Sequence, residues 1–382
     1  MTTTNTPSSP RVFAVIAGGG TAGHIIPALA IAEQLIERGR APLSIAIVAS
    51  RRPSDERLLA ATEHPRLLLN VDGLQRSLSP RAVVRTLLAG PKMLWASARA
   101  TRQFREWKPK VVVSVGGFAS EPAVRAARAL RIPYVVVSYD QYPGLATRRQ
   151  AKRASAVAVA FAGSALRGAK HTGAPVRAGV RRMLRNTAGD EGARSKAAQV
   201  FGLDPTRRIV VVMGGSLGSQ VVNQTIERFV LDNAHRSDVA VLHLAGERYV
   251  AEPFELPKDA QVQYVRRASH SNMVEVWQIA DITVCRAGAS TVAELVTVGS
   301  AALVIPWAQA ADDHQLRNAR WLGDAGAAVM VEESALSASF AQSLTQLLDD
   351  HVLRERLAAK SYALGALNRS SAIGSIVESV VR

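Results

Sequence analysis

The chain has 382 residues, 48% of them apolar and 20% charged, which is long for one core and comfortable for two domains of an ordinary soluble enzyme. Its 47 Lys and Arg against 31 Asp and Glu give a formal charge of +16, which suits nucleic acid, an anionic membrane surface or phosphorylated substrates. Aromatic residues are only 5%, and no zinc-finger, RNP or helix-turn-helix signature occurs, so nucleic acid is the weakest of the three. Cys285 is the only cysteine, which excludes an intrachain disulfide and fits a reducing compartment.

The opening "MTTTNTPSSPR" reads as a short disordered tail without the basic start and apolar stretch of a signal peptide. "RVFAVIA", "LSIAIVA", "KVVVSVG" and "PYVVVS" then read as buried parallel strands, each followed by a helical pattern. "ASAVAVAFAGSAL" at 154–166 is too short to span a bilayer, which needs ~20 residues. After about residue 180 the chain turns charged and glycine-dotted, as a linker with a short helix would be. "IVVVMGGSLGSQVVNQTI" restarts the strand, glycine turn and helix, and "VAVLHLAG", "ITVCRAG" and "AALVIPW" supply further strands. The fold class is therefore α/β, with two consecutive domains whose ligands belong at the carboxyl ends of parallel strands.

Gly18, Gly20 and Gly23 fit G-x-G-x-x-G, the dinucleotide fingerprint. An NAD site wants an acid at the end of the second strand, where Arg51 and Arg52 stand instead. Those arginines keep an NADP-dependent oxidoreductase open as a rival reading. A plain tight turn would leave Thr21 and His24, beside a helix N-terminus that favours anions, unexplained. In "CRAGASTVAEL", Thr291 and Glu294 have capping-box spacing. The functional alternative is that amides at 289–291 face a phosphate or sugar while Glu294 accepts from ribose hydroxyls. "WAQAADDHQLRNA" places Asp313, His314, Gln315 and Asn318 on a strand-end loop entering a helix, a setting that carries function more often than loops at large.

Together, "GGGTAGHIIPALAIA", "VVSVGGFASEP", "GAPVR", "MGGSLGSQVVNQT", "CRAGASTVAELVTVG" and "AADDHQLRNA" occur in an order that resembles the MurG family, over roughly residues 11 to 375. The resemblance implies a GT-B fold, two Rossmann-like domains with parallel sheets facing across a cleft. It implies inverting transfer of GlcNAc from UDP-GlcNAc to lipid I, undecaprenyl-pyrophosphoryl-MurNAc-pentapeptide, giving lipid II for peptidoglycan. The enzyme would sit peripherally on the cytoplasmic face of the bacterial membrane, alongside other cell-wall or division proteins. The expected domains are an acceptor and membrane-side domain at 11–178, a linker region at 179–206, a UDP-GlcNAc domain at 207–360, and a C-terminal helix at 361–382 packing back on the first domain.

By the same resemblance, His24 is the candidate base. Thr21, Ala22 and Gly23 line the donor sugar and diphosphate, and Arg177 and Ser216 match donor positions. Ala289, Ser290 and Thr291 meet the sugar and diphosphate, Glu294 the ribose, and Gln315 the GlcNAc hydroxyls, with His314 beside it. Two departures stand out. "VSYDQYPGL" replaces the family's "HEQN" before its "PGL" turn, making Asp140 a second candidate base. Ser269, followed by His270, replaces an aromatic near the uracil. No D-x-D motif or clustered histidine spacing occurs, so neither a cofactor nor a metal is expected. A rival of the same fold is a UDP-sugar transferase acting on another lipid or natural product.

Residues 76–108 interleave Arg81, Arg85, Lys92 and other basic residues with Leu88, Leu94 and Trp95. A basic rim around apolar residues is how an interfacial segment binds anionic lipid. The alternative is a core-packed helix pair with a solvated basic face.

Overall fold

The computed structural model describes residues 11–20, 22–71, 80–183, 191–215 and 217–381, with backbone alone for 22, 80–89 and 311. The polar opening residues, Thr21 and Ser216 lie outside the described residues, as do the side chains of Ala22, Arg81, Arg85 and Leu88.

The chain divides into two units, one running to Ala178 and resuming at Ser370, the other spanning Gly179–Arg369. Among the described residues the first holds a parallel sheet of β1 (Ala14–Ala17), β2 (Ile45–Ser50), β3 (Arg66–Leu69), β4 (Val111–Ser114), β5 (Tyr134–Ser138), β6 (Ala156–Val159) and β7 (Ala169–His171). Its spatial order is β3-β2-β1-β4-β5-β6-β7. β1, β2, β4 and β5 are buried along their whole length. That double-sided burial is why they read as unbroken Val, Ile and Ala runs with no polar alternation.

The helix Pro80–Trp107 is a single element and not a pair, even though Pro91 lies inside it. Ala96, Ala100, Phe104 and Trp107 form one buried face at helical spacing against β1, β2 and the helix Ser120–Ala129. Phe104, 1% exposed, contributes ~1.5–3 kcal/mol by burial. On the same helix Leu94 is 65% and Trp95 81% exposed.

The second unit repeats the plan with β8 (Arg208–Met213), β9 (Val239–Leu244), β10 (Gln263–Arg267), β11 (Ile282–Cys285), β12 (Ala301–Val304) and β13 (Val329–Met330). Their order is β10-β9-β8-β11-β12-β13, all parallel. Val210, Val212, Ile282, Val284 and Leu303 meet Ile226, Phe229, Phe340 and Leu344 in its core. Both sheets reverse their winding beside the first strand, at β1/β4 and at β8/β11, and such switch points open ligand crevices at the strands' carboxyl ends.

The expected linker, 179–206, lies within the second unit and carries the helix Glu191–Phe201, packed on the helix Met273–Ile279. The expected terminal helix, 361–382, is divided. The helix His351–Leu364 ends in the second unit, and Ala372–Ser379 belongs to the first. There Glu378 takes Arg38 at 2.6 Å and Arg40 at 2.8 Å, while Gly374 donates its amide to Gln34 Oε1 at 3.0 Å.

Candidate active site

In the first unit, three strand ends converge on one imidazole. β1 runs through Gly18–Gly20 into the helix Ala22–Glu37, whose first turn carries His24. β4 leads into Gly116 and Gly117, both with positive φ, and β5 leads into Tyr139 and Asp140. Gly117 must lack a side chain. With φ at 76°, a Cβ there would lie 2.8 Å from His24 Cδ2 and 2.6 Å from the Gly19 carbonyl oxygen. The ring therefore packs directly on the backbone of the β4 turn.

His24 Nδ1 lies 2.5 Å from Tyr139 Oη, and that hydroxyl donates to the Gly23 carbonyl at 2.6 Å. A phenol has one proton and a carbonyl only accepts, so Nδ1 carries the hydrogen of the His24–Tyr139 bond. In the neutral ring the lone pair is then on Nε2. Burial, the largest influence, pulls the imidazole below its ordinary pKa, while Asp140, the Val115 carbonyl and Asp55 push the other way. Burial, and then Asp140, raise the Tyr139 phenol well above its ordinary value, so it stays protonated at neutral pH.

The glycine loop before His24 does not hold a phosphate with its Gly20 amide. That N–H donates to Asp55 Oδ2 at 2.7 Å, and Ser50 Oγ donates to the same oxygen at 2.6 Å. Asp55 is fully buried, and a Cβ on Gly19 would sit 2.8 Å from its carboxylate. Arg52 is also engaged, donating Nη1 to the Gly20 carbonyl at 2.6 Å. The NADP reading fails on this geometry. A carboxylate stands where the pyrophosphate would need an amide, and Arg52, one of the two arginines proposed for the 2′-phosphate, braces the loop. Sequence reasoning missed Asp55 because it lies beyond the strand end, on the helix Pro53–Ala60, and folds back.

Arg177 also belongs to the first unit. Its Nε meets Glu33 Oε1 at 2.7 Å, and the amide of Ala178 donates to Glu33 Oε2 at 2.6 Å.

In the second unit, two glycine turns flank the switch point. Ser219 caps the helix Gln220–Asp232, accepting from the Val222 amide. The helix Ala289–Val298 starts at Gly288 with no side-chain cap, and Ala289, Ser290 and Thr291 form its first turn. Thr291 is thus inside the helix, which rules out the capping box. Glu294 instead accepts from Trp277 Nε1 at 2.8 Å. Of the two helix openings, the uncapped one at Gly288 is better suited to an anion.

Arg286, which the sequence reading passed over, ties these turns together. Nη2 donates to Ser219 Oγ at 2.7 Å, Nη1 reaches the carbonyls of Ile305 and Pro306 at 3.3 Å, and Glu333 pairs with the guanidinium at 2.5 Å. Asn318 donates to the Ala287 carbonyl at 3.1 Å, fixing the same turn from the other side. The Trp307 amide donates to Gln315 Oε1 at 3.1 Å, which orients that side chain's amide. Between them Asp312 and Asp313 both adopt left-handed backbone, at φ 55° and 51°, a strain of ~1–3 kcal/mol per residue of the kind stored at binding loops. His314 opens the following helix, His314–Asp324. His270 lies apart from these turns' contacts, with Nε2 2.6 Å from Glu275 and its ring edge-on to Phe201. Burial pushes the Cys285 thiol up to about 12, which leaves it inert.

Among the described residues, no group of three or more His, Cys, Asp and Glu is arranged to hold a metal ion, and no helix is long and apolar enough to cross a membrane.

Residues 14–159 match the glycosyltransferase family 28 N-terminal domain, and residues 209–373 its C-terminal domain. Over 97% of this chain and 99% of the other, the fold is similar to the crystal structure of Acinetobacter baumannii MurG, with a TM-score of 0.69 at 24% identity. Two Rossmann-like units matching both halves of one family define the class, a GT-B glycosyltransferase. The UDP-N-acetylglucosamine–N-acetylmuramyl-(pentapeptide) pyrophosphoryl-undecaprenol N-acetylglucosamine transferase of Paenarthrobacter aurescens (strain TC1) is 35% identical over 99% of this chain and 98% of its own length. The enzyme of that name from Methylococcus capsulatus (strain ATCC 33009 / NCIMB 11132 / Bath) is 34% identical over 95% of this chain and 96% of its own. The chain belongs to this transferase family, the MurG family.

Proposed function

We propose that this enzyme transfers GlcNAc from UDP-GlcNAc to the MurNAc 4-hydroxyl of lipid I, with inversion, to give lipid II. The observation that carries the reading is His24, an imidazole at the first sheet's switch point that burial holds below its ordinary pKa and whose Nδ1 is engaged by the Tyr139 hydroxyl. His24 takes the proton as the acceptor oxygen attacks the anomeric carbon and the bond to the diphosphate breaks. UDP departs toward the helix start at Ala289–Thr291, where a helix N-terminus stabilises growing negative charge. Glu294 takes the ribose hydroxyls, Gln315 the GlcNAc hydroxyls, and Ser216 and Arg177 assist on the donor side. Asp140, beside His24, stabilises the imidazolium that forms and is not itself the base.

The acceptor carries a lipid, and the enzyme docks peripherally through the helix Pro80–Trp107. Support comes from Leu94 and Trp95, whose exposure on a helix bearing Arg81, Arg85 and Lys92 suits an anionic bilayer surface.

The test is direct: full-length enzyme with labelled UDP-GlcNAc and lipid I in vesicles should form lipid II and release UDP in equal amounts. No transfer to lipid I, with transfer to another lipid, would assign a different acceptor. A thermal shift with UDP-GlcNAc and none with NADPH should accompany the activity, since a ligand stabilises the state it binds.

A further inference from the structure

We propose that Tyr139 is a positioning residue for the transfer, holding His24 in the Nδ1–H tautomer so that Nε2 is the ring's proton acceptor. The proposal rests on His24 being the base.

The geometry begins with Pro27. In a regular helix the amide of residue 27 would donate to the carbonyl of residue 23, and proline has no amide proton to give. The Gly23 carbonyl therefore turns to the Tyr139 hydroxyl, at 2.6 Å. That commits the single phenolic proton. The hydroxyl oxygen can then only accept from the imidazole, at 2.5 Å, which places the ring hydrogen on Nδ1. Tyr139 is 6% exposed and meets the ring edge-on, at 6.2 Å between centroids and 65° between planes, so it fixes the imidazole's orientation as well.

During transfer the acceptor hydroxyl's proton moves to Nε2 while its oxygen bonds to the anomeric carbon and UDP leaves with the bonding pair. The Nδ1–H stays on Tyr139 Oη throughout, so no second proton moves. A glutamine in place of Tyr139 can do both jobs, its N–H donating to the carbonyl and its oxygen accepting from Nδ1–H.

The experiment uses the full chain labelled with 15N-histidine, with His24 assigned by loss of its signals in His24→Ala. The expected wild-type spectrum at neutral pH shows a protonated Nδ1 and a bare Nε2. Tyr139→Phe should move the neutral ring toward the other tautomer and lower kcat on the order of 10²-fold with KM for UDP-GlcNAc unchanged. Tyr139→Gln should restore both the spectrum and most of the rate. A wild-type ring protonated on Nε2 overturns the proposal even if no variant folds. So does a Tyr139→Phe enzyme with normal rate and spectrum while His24→Ala is inactive. A fully active His24→Ala enzyme overturns the base reading itself, and the role of Tyr139 falls with it.

Discussion

The indole of Trp277 donates its Nε1–H to the carboxylate of Glu294, linking the helix Met273–Ile279 to the helix Ala289–Val298 at 2.8 Å. Glu294 is 9% exposed, so this contact aims a nearly buried anion. Replacing Glu294 with Ala removes charge-assisted hydrogen bonds worth ~1.5–3 kcal/mol each. UDP-GlcNAc should bind on the order of tenfold or more weakly by calorimetry. Trp277→Phe should weaken it less, since the carboxylate remains. Normal donor binding by Glu294→Ala together with a lower Tm would make the residue purely structural.

His24→Ala should lower kcat by ~10²–10⁴ with donor affinity preserved. Because the imidazole pKa lies below 6.5, the acidic limb of the wild-type rate profile should fall below that value too. Asp140 raises this pKa, so Asp140→Asn should move the limb to still lower pH and keep a substantial rate. An Asp140→Asn enzyme that loses both rate and limb, beside an active His24→Ala, would transfer the role to Asp140.

His243 predicts an acid sensitivity unrelated to catalysis. It is fully buried between β8 and β10, bonded to Tyr264 Oη at 2.7 Å and Asn223 Oδ1 at 2.9 Å. Burial, and then Arg266, lower its pKa from 6.5 to about 3. Between those values the unfolded chain holds a proton that the folded chain refuses. Stability from this group is present above 6.5 and is lost as pH falls toward 3, at up to ~1.4 kcal/mol per pH unit. Urea unfolding at pH 7 and pH 5 should show the loss, and His243→Gln should flatten it. An equal slope in both proteins would remove His243 as its source.

Charge reversal at Arg81, Arg85 and Lys92 should weaken binding to anionic vesicles by ~1 kcal/mol per charge. Trp95→Ser should do so in neutral vesicles as well. Turnover of a short, water-soluble acceptor should be unaffected. Equal loss on both acceptors would show that these residues support the fold.

The central strands were legible because burial on both faces leaves continuous β-branched runs. β10, "QYVRR", and β3, "RLLL", were missed because each is a sheet edge, where arginines are tolerated and the pattern breaks. His24 stood out from its glycine turn, but what holds it did not. Its partner Tyr139 is 115 residues away, and Asp55 is 35 residues from the amide it binds. Only the fold makes such pairs neighbours. Pro27, four residues after Gly23, was the one local sign that a carbonyl would need an outside donor.

The return of the C-terminal helix has a consequence for synthesis. The second unit, Gly179–Arg369, is one uninterrupted stretch and can fold while the chain is still being made. The first unit is begun earlier yet cannot be completed until Gly374 and Glu378 emerge, 340 residues after the positions they join at Gln34 and Arg38. Of these two units, the one made first is therefore the one that must finish last. A fusion or truncation at the C-terminus should reach the first unit's folding before it disturbs the second.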